Sequence, residues 1–217
     1  MKDAVSGRRL FQLPGQRAIH AHFDRSDPVM AAVIRRVGPL RLRRNRNTFI
    51  VLCKSIIAQQ ISTSAAETIT RRFHGLFESR RPTPARLLAL PEASLRSAGL
   101  SRQKTEYLRD LSGKFLGGDI RPHRLRFLAD EEVIDGLTRV RGIGRWTAEM
   151  FLIFSLNRPD VLPVDDLGFR AAVKNIYAMK SHPSTATVRA LGEKWRPLRT
   201  VAVWYAWRSL DARIVAY

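Results

Sequence analysis

An all-α fold of about ten short helices is predicted by three features of this sequence. Apolar residues recur at helical spacing in one segment after another. Most of these segments are bracketed by a capping residue or proline on one side, and several by glycine on the other. No stretch shows the every-second-residue alternation of a half-buried strand. The turns between segments are short, and the sequence holds no internal repeat and no low-complexity tract.

The elements follow in chain order. Residues 1–20 carry glycine, proline and basic residues without a period and read as a loose basic tail. Asp27 before Pro28 is an N-cap followed by a proline at the first helical position, and the helix through VMAAVIRRV stops at Gly38-Pro39. Residues 41–47, RLRRNRN, form a short basic loop. Residues 48–60, TFIVLCKSIIAQQ, are apolar at helical length, and a second helix starts at about Ser62. Thr83-Pro84 opens ARLLAL, and Pro91 opens a helix that ends at Gly99. From Ser101, a helix places Tyr107, Leu108, Leu111 and Phe115 on one side and closes at Gly117-Gly118. Asp130 caps EEVIDGLTRV, and residues 145–156 are helical. Asp165 or Asp166 starts the helix through FRAAVKNIY, Ser184 caps TVRALGEKW, and Arg196-Pro197 starts the last helix, LRTVAVWYAWRSL.

Bulk composition narrows the classes. The 217 residues suit one domain or two intimate lobes. Hydrophobic residues make up 45% and charged residues 26%, a globular balance. No apolar run approaches the ~20 residues of a membrane span, and no signal-peptide core is visible at the N-terminus. The single cysteine, Cys53, excludes a disulfide framework and a four-thiolate metal or iron–sulfur site within the chain, and fits an intracellular compartment. Lys and Arg number 38 against 19 Asp and Glu, a net charge of +19. That field favours a polyanion: DNA, RNA or an anionic membrane surface.

Arg141-Gly142-Ile143-Gly144 joins the helices of residues 130–140 and 145–156. So tight a turn needs positive φ, which Gly142 and Gly144 are expected to supply. Glycine also admits an anion to the unpaired N–H groups at the start of the second helix, and Arg145 adds a charge there. Ile143 is the apolar plug of the turn. A bare GxG between helices is most often only an αα-hairpin. The longer string V-R-G-I-G-R-W-T-A, in so basic a chain, favours phosphate binding.

LTRVRGIGRWTAEMFLIF followed by VLPVDDLGFR resembles the helix-hairpin-helix and following Asp signature of the helix-hairpin-helix (HhH-GPD) DNA glycosylases. Within them the sequence is most similar to the DNA-3-methyladenine glycosylase II group. IIAQQIS, GLSRQKTEYL and EKWRPLRTVAVWYAW resemble further segments of that group, so the likeness spans roughly residues 25–210. It implies a two-lobed fold with the active-site cleft between the lobes, one of about 45–155 and one of 21–44 plus 156–217. Too few residues precede the first helix for the β-rich N-terminal domain of some members.

The implied activity is monofunctional excision of alkylated purines, such as 3-methyladenine and 7-methylguanine, from duplex DNA by base flipping. A carboxylate near C1′ stabilises the oxocarbenium-like sugar and orients the attacking water. A cationic alkylated base then leaves without strong acid help. Pro-Val-Asp places Asp165 on the family's catalytic aspartate, with Asp166 the second candidate; either can also serve as a helix N-cap. The family's Schiff-base lysine position is Trp146, which implies no lyase activity. Trp146, Met150 and Trp207 match the base pocket, although Met150 and Phe154 fit a core stripe equally well. Gln60 matches the wedge that fills the gap left by a flipped base. Gly142, Ile143, Gly144, Arg145 and Thr147 match the DNA-gripping hairpin. The resemblance allows a structural monovalent cation on the carbonyls of Thr138, Val140 and Ile143, and no required cofactor. It makes the expected partner double-stranded DNA with alkylated bases, bound by a monomer with no membrane role. The alternatives are a non-catalytic helix-hairpin-helix DNA-binding protein, against which the Asp pair and tryptophans argue, and a basic RNA-binding protein.

Overall fold

A computed structural model describes residues 13–210, apart from the side chain of Thr63. These residues form thirteen α-helices and one 3-10 turn, with no strand among them. The expected all-α class is what is observed. The chain divides into two compact units: one built from residues up to Arg44 together with those from Asn157 onward, the other from Asn45–Leu156.

The first unit holds α1 (Gln16–Ser26), α2 (Pro28–Val37), α11 (Leu167–Ile176), α12 (Thr185–Glu193) and α13 (Arg199–Leu210). Helix α1 corrects the expected loose tail of residues 1–20, since its first turns fall inside that segment; residues 1–12 lie outside the described residues. Its apolar signal is only Ile19 and Phe23, one turn apart and both fully buried, so tertiary packing rather than a strong local pattern sustains it. Asp27 caps α2 as expected, accepting the Met30 N–H at 3.1 Å. Its other carboxylate oxygen accepts the Tyr177 hydroxyl at 2.6 Å and the Trp195 indole N–H at 2.9 Å. A buried carboxylate is tolerable because it is so fully satisfied. Thr200 to Trp207 are all buried, making α13 the central rod of the unit.

That rod anchors the loop before the aspartate pair. The Thr200 hydroxyl donates to the Arg158 carbonyl at 2.6 Å and accepts the Val161 N–H at 3.0 Å. Asp160 pairs with Arg199 at 2.7 Å and with Arg196 at 3.0 Å. Gly192 on α12 lies against the Leu162 side chain, whose end would have to shift to admit a Cβ there.

The second unit runs α3 (Thr48–Ala58), α4 (Thr63–Gly75), the 3-10 turn (Glu78–Arg80), α5 (Pro84–Ala89), α6 (Glu92–Ser97), α7 (Arg102–Leu116), α8 (Pro122–Leu125), α9 (Asp130–Thr138) and α10 (Arg145–Phe154). Helix α3 is apolar nearly all round and is the buried element of this core, as such a pattern requires. It meets α4, α7 and α10. Ser62, Thr83, Ser101 and, in the first unit, Ser184 all cap the helices expected of them. Asp130 does not cap: the cap position is Ala129, whose N–H is taken by the Glu132 carboxylate at 2.7 Å. Helices α1 and α8 are the two that add to the eleven helical segments read one by one from the sequence.

Candidate active site

Within the first unit, the two aspartates differ sharply. Asp165 is exposed, and its carboxylate takes no hydrogen bond among the described residues. Asp166 is the N-cap of α11, and its Oδ1 accepts the Phe169 N–H. The same oxygen accepts the Trp207 indole N–H at 3.0 Å. Asp166 is thus a carboxylate held from two directions, at the positive end of a helix whose amides complement its charge. Trp207 is only 5% exposed, so the aromatic residue expected to line a base pocket also orients a carboxylate. The order in which the sequence ranks the two aspartates is not supported by this geometry, which favours Asp166. The two N–H donors come from positions 3 and 41 residues along the chain. Only the first is local enough for sequence reasoning to foresee.

In the second unit, α9 and α10 form the expected hairpin. Gly142 has φ +82° and lies close against the Tyr107 ring of α7, where a Cβ would overlap the ring. Gly144 is different: its φ is −90°, ordinary extended backbone, so the expectation of positive φ there is corrected. A Cβ at Gly144 would meet nothing within 4 Å. Its smallness leaves open space in front of the α10 N-terminus, which has no side-chain cap. A helix N-terminus with no side-chain cap, with its dipole and open space before it, is chemically suited to an anion.

Arg145 is less available than expected. Its guanidinium donates to both oxygens of Glu131, at 2.9 and 2.6 Å, and to Glu149 at 3.2 Å. These bonds, with that to Glu131 the largest cause, raise its pKa further above the usual arginine value. Thr147, expected to contact DNA, is buried. Ile143 is buried as the expected plug. Met150, at 2% exposure, is core-facing, and so is Phe154, whereas Trp146 is 37% exposed. Of the carbonyls matched to a monovalent cation, that of Val140 already accepts the Ile143 N–H at 3.1 Å, leaving room for one further ligand contact. No cluster of metal-binding side chains occurs among the described residues.

Gln60 is exposed at the tip of the α3–α4 turn, in the left-handed region at φ +57°. Such backbone is uncommon for a residue other than glycine and persists only where its surroundings impose it. Sequence reasoning missed what imposes it here. Gln59 donates from Nε2 to the Gly142 carbonyl at 2.7 Å. Lys104 donates to the carbonyls of Ile57 at 2.7 Å and Gln59 at 2.8 Å. Desolvation pushes the Lys104 pKa down from the ordinary lysine value.

Residues 53–197 match the family model described as HhH-GPD superfamily base excision DNA repair protein. DNA-3-methyladenine glycosylase 1 of Schizosaccharomyces pombe is 32% identical over 193 residues, covering 87% of this chain and 85% of its own. The structure of 3-methyladenine DNA glycosylase from that yeast in complex with abasic DNA superposes with a TM-score of 0.80 at 32% identity, over 92% of this chain and 100% of its own. A DNA-3-methyladenine glycosidase structure from Bacillus halodurans gives a TM-score of 0.82 at 32% identity, covering 92% of each chain.

Proposed function

The chain belongs to the HhH-GPD superfamily of base excision DNA repair proteins, and on that footing we propose that it is a monofunctional DNA glycosylase excising N-alkylated purines from duplex DNA. Its relatives carry the name DNA-3-methyladenine glycosylase, and one of them is solved with abasic DNA, the product of such a reaction. The observation that carries the mechanism is the Asp166 carboxylate fixed by the Phe169 amide and the Trp207 indole.

Each unit supplies one part of the chemistry. In the second, the uncapped α10 N-terminus behind Gly144 takes a DNA phosphate, Gln60 fills the gap left by the flipped nucleotide, and Trp146 offers an indole face to stack a base. In the first, Asp166 stabilises the positive charge that develops on the sugar as the N-glycosidic bond breaks, and orients the attacking water. The base leaves with the bonding electrons, neutralising its own positive charge. No lysine occupies the Trp146 position, so water rather than an amine completes the reaction.

The test is release of methylated bases from duplex DNA by the native protein and by Asp166→Asn, Asp165→Asn and Trp207→Phe. Asp166→Asn should lose roughly 10²–10³-fold in rate with duplex binding kept. Trp207→Phe, lacking one donor, should lose about tenfold. Asp165→Asn should stay near native. Loss confined to Asp165→Asn would move the catalytic role back by one residue. Tight duplex binding with no release by the native protein would favour a non-catalytic DNA-binding protein.

A further inference from the structure

The C-terminal end of α3, the turn at Gln59-Gln60 and the α9–α10 hairpin meet along one face of α7. Lys104, Tyr107 and Asp110 recur every three residues and so share a side of that helix. Lys104 holds the turn through the Ile57 and Gln59 carbonyls. Tyr107 packs under Gly142, with its hydroxyl accepting from Gln103 Nε2 at 2.6 Å. Asp110 accepts the Arg141 N–H at 2.8 Å. The Gln59 side chain closes the loop by reaching the Gly142 carbonyl directly. Of the two adjacent glutamines, Gln59 is therefore committed to the protein, while Gln60 points into solvent.

We propose that Gln59 and Lys104 are positioning residues that lock the Gln60 wedge to the phosphate-gripping hairpin, so that seating a phosphate and inserting the wedge become one rigid event. This rests on the glycosylase reading above. The physical need is plain. A wedge works only in register with the backbone phosphate that marks the lesion step, and a misplacement of about 1 Å costs on the order of a hundredfold in a positioned reaction. The end of a helix leaves carbonyls without partners, and an ammonium across two of them satisfies those groups and complements the negative end of the dipole. With Lys104 there, the α3 terminus is stiff enough to hold Gln60 in the left-handed region. The Gln59 amide then transmits the hairpin's position to the next residue.

Four variants test this: Gln59→Glu, which keeps the shape but replaces the donor with a carboxylate, Lys104→Met, Lys104→Arg and Gln60→Ala. Three readouts are taken on each: thermal melting, affinity for an undamaged duplex at fixed salt, and flipping. Flipping is read as the fluorescence rise of 2-aminopurine beside a tetrahydrofuran abasic analogue, with single-turnover base release measured in parallel. Gln59→Glu and Lys104→Met should lower flipping and release about tenfold or more, with undamaged-duplex affinity within about twofold of native. Lys104→Arg should restore most of the loss, because a guanidinium can also bridge two carbonyls. Gln59→Glu combined with Gln60→Ala should lose no more than Gln60→Ala alone, since one residue acts through the other. Multiplying losses would overturn the proposal, as would flipping, undamaged-duplex affinity and melting temperature falling in step. If the native protein unstacks the analogue yet releases no base, the glycosylase reading fails while the fluorescence data still decide this one. Absence of any effect in Gln60→Ala would remove the wedge and the proposal together.

Discussion

The two glycines of the hairpin offer a separation of stability from function. At Gly142, φ +82° puts any alanine in the left-handed region, at a cost of about 1–2 kcal/mol. The new methyl also overlaps the Tyr107 ring, and overpacking of that kind costs about 1–3 kcal/mol. Gly142→Ala should therefore destabilise by roughly 2–5 kcal/mol, a fall in Tm on the order of 10 °C for a chain of this size. At Gly144 the backbone is already in a region alanine adopts, and a Cβ meets nothing within 4 Å. The reduced freedom of the unfolded chain, worth about 0.4–1 kcal/mol, roughly offsets the weaker N-cap preference of alanine. Gly144→Ala should melt within about 2 °C of native. Its methyl, however, would take up part of the open space at the turn through which a phosphate would approach the α10 amides. Loss of one anion at a helix N-terminus costs up to about 2 kcal/mol, a 5- to 30-fold weaker affinity for duplex DNA. The slope of log affinity against log salt should fall by about 0.9, one phosphate's worth. Melting curves and fluorescence anisotropy of an undamaged duplex across a salt series measure both. Native affinity and slope in Gly144→Ala would refute the phosphate seat, and a native Tm in Gly142→Ala would refute the packing of the hairpin on α7.

Arg145→Ala should hardly change the salt slope, because its guanidinium is already shared between Glu131 and Glu149; the exposed pair with Glu131 is worth about 0–1 kcal/mol, but the buried Glu149 carboxylate also loses a partner, so Tm should fall by several degrees. A salt slope reduced by a full phosphate would show that Arg145 leaves those partners for DNA. Alkaline stability should depend on Tyr177. Burial, then its bond to Asp27, raises its pKa above the usual value near 10, so the folded state keeps a proton that the unfolded chain loses. That stability is present below about pH 10 and is lost as pH rises beyond it. Tyr177→Phe should start less stable, for want of the Asp27 bond, but decline less steeply from about pH 9 to 11. An unchanged steepness would show that other groups dominate the alkaline transition.

Much of this protein is written locally. Asp27, Ser62, Thr83, Ser101 and Ser184 each cap a helix in the structure, because a short oxygen-bearing side chain reaches an amide two or three residues on whatever the rest of the chain does. The α9–α10 hairpin and the apolar run of α3 are legible for the same reason: turn chemistry and periodicity are properties of neighbours. So is the basic balance that points to a polyanion. What tertiary structure decided lies in contacts between distant residues. Helix α1 has too few apolar residues to announce itself and exists by packing Ile19 and Phe23 into its unit. Asp165 and Asp166 are adjacent in sequence, yet only Asp166 meets Trp207, 41 residues away. Arg145 looks like a free charge until Glu131 folds back beside it. Gln59 and Gln60 are the same residue twice, and the difference between them is a hydrogen bond to a carbonyl 83 residues along. Propensity is set by neighbouring covalent structure, whereas the partner of a side chain is set by where the chain returns, which depends on every helix packed in between.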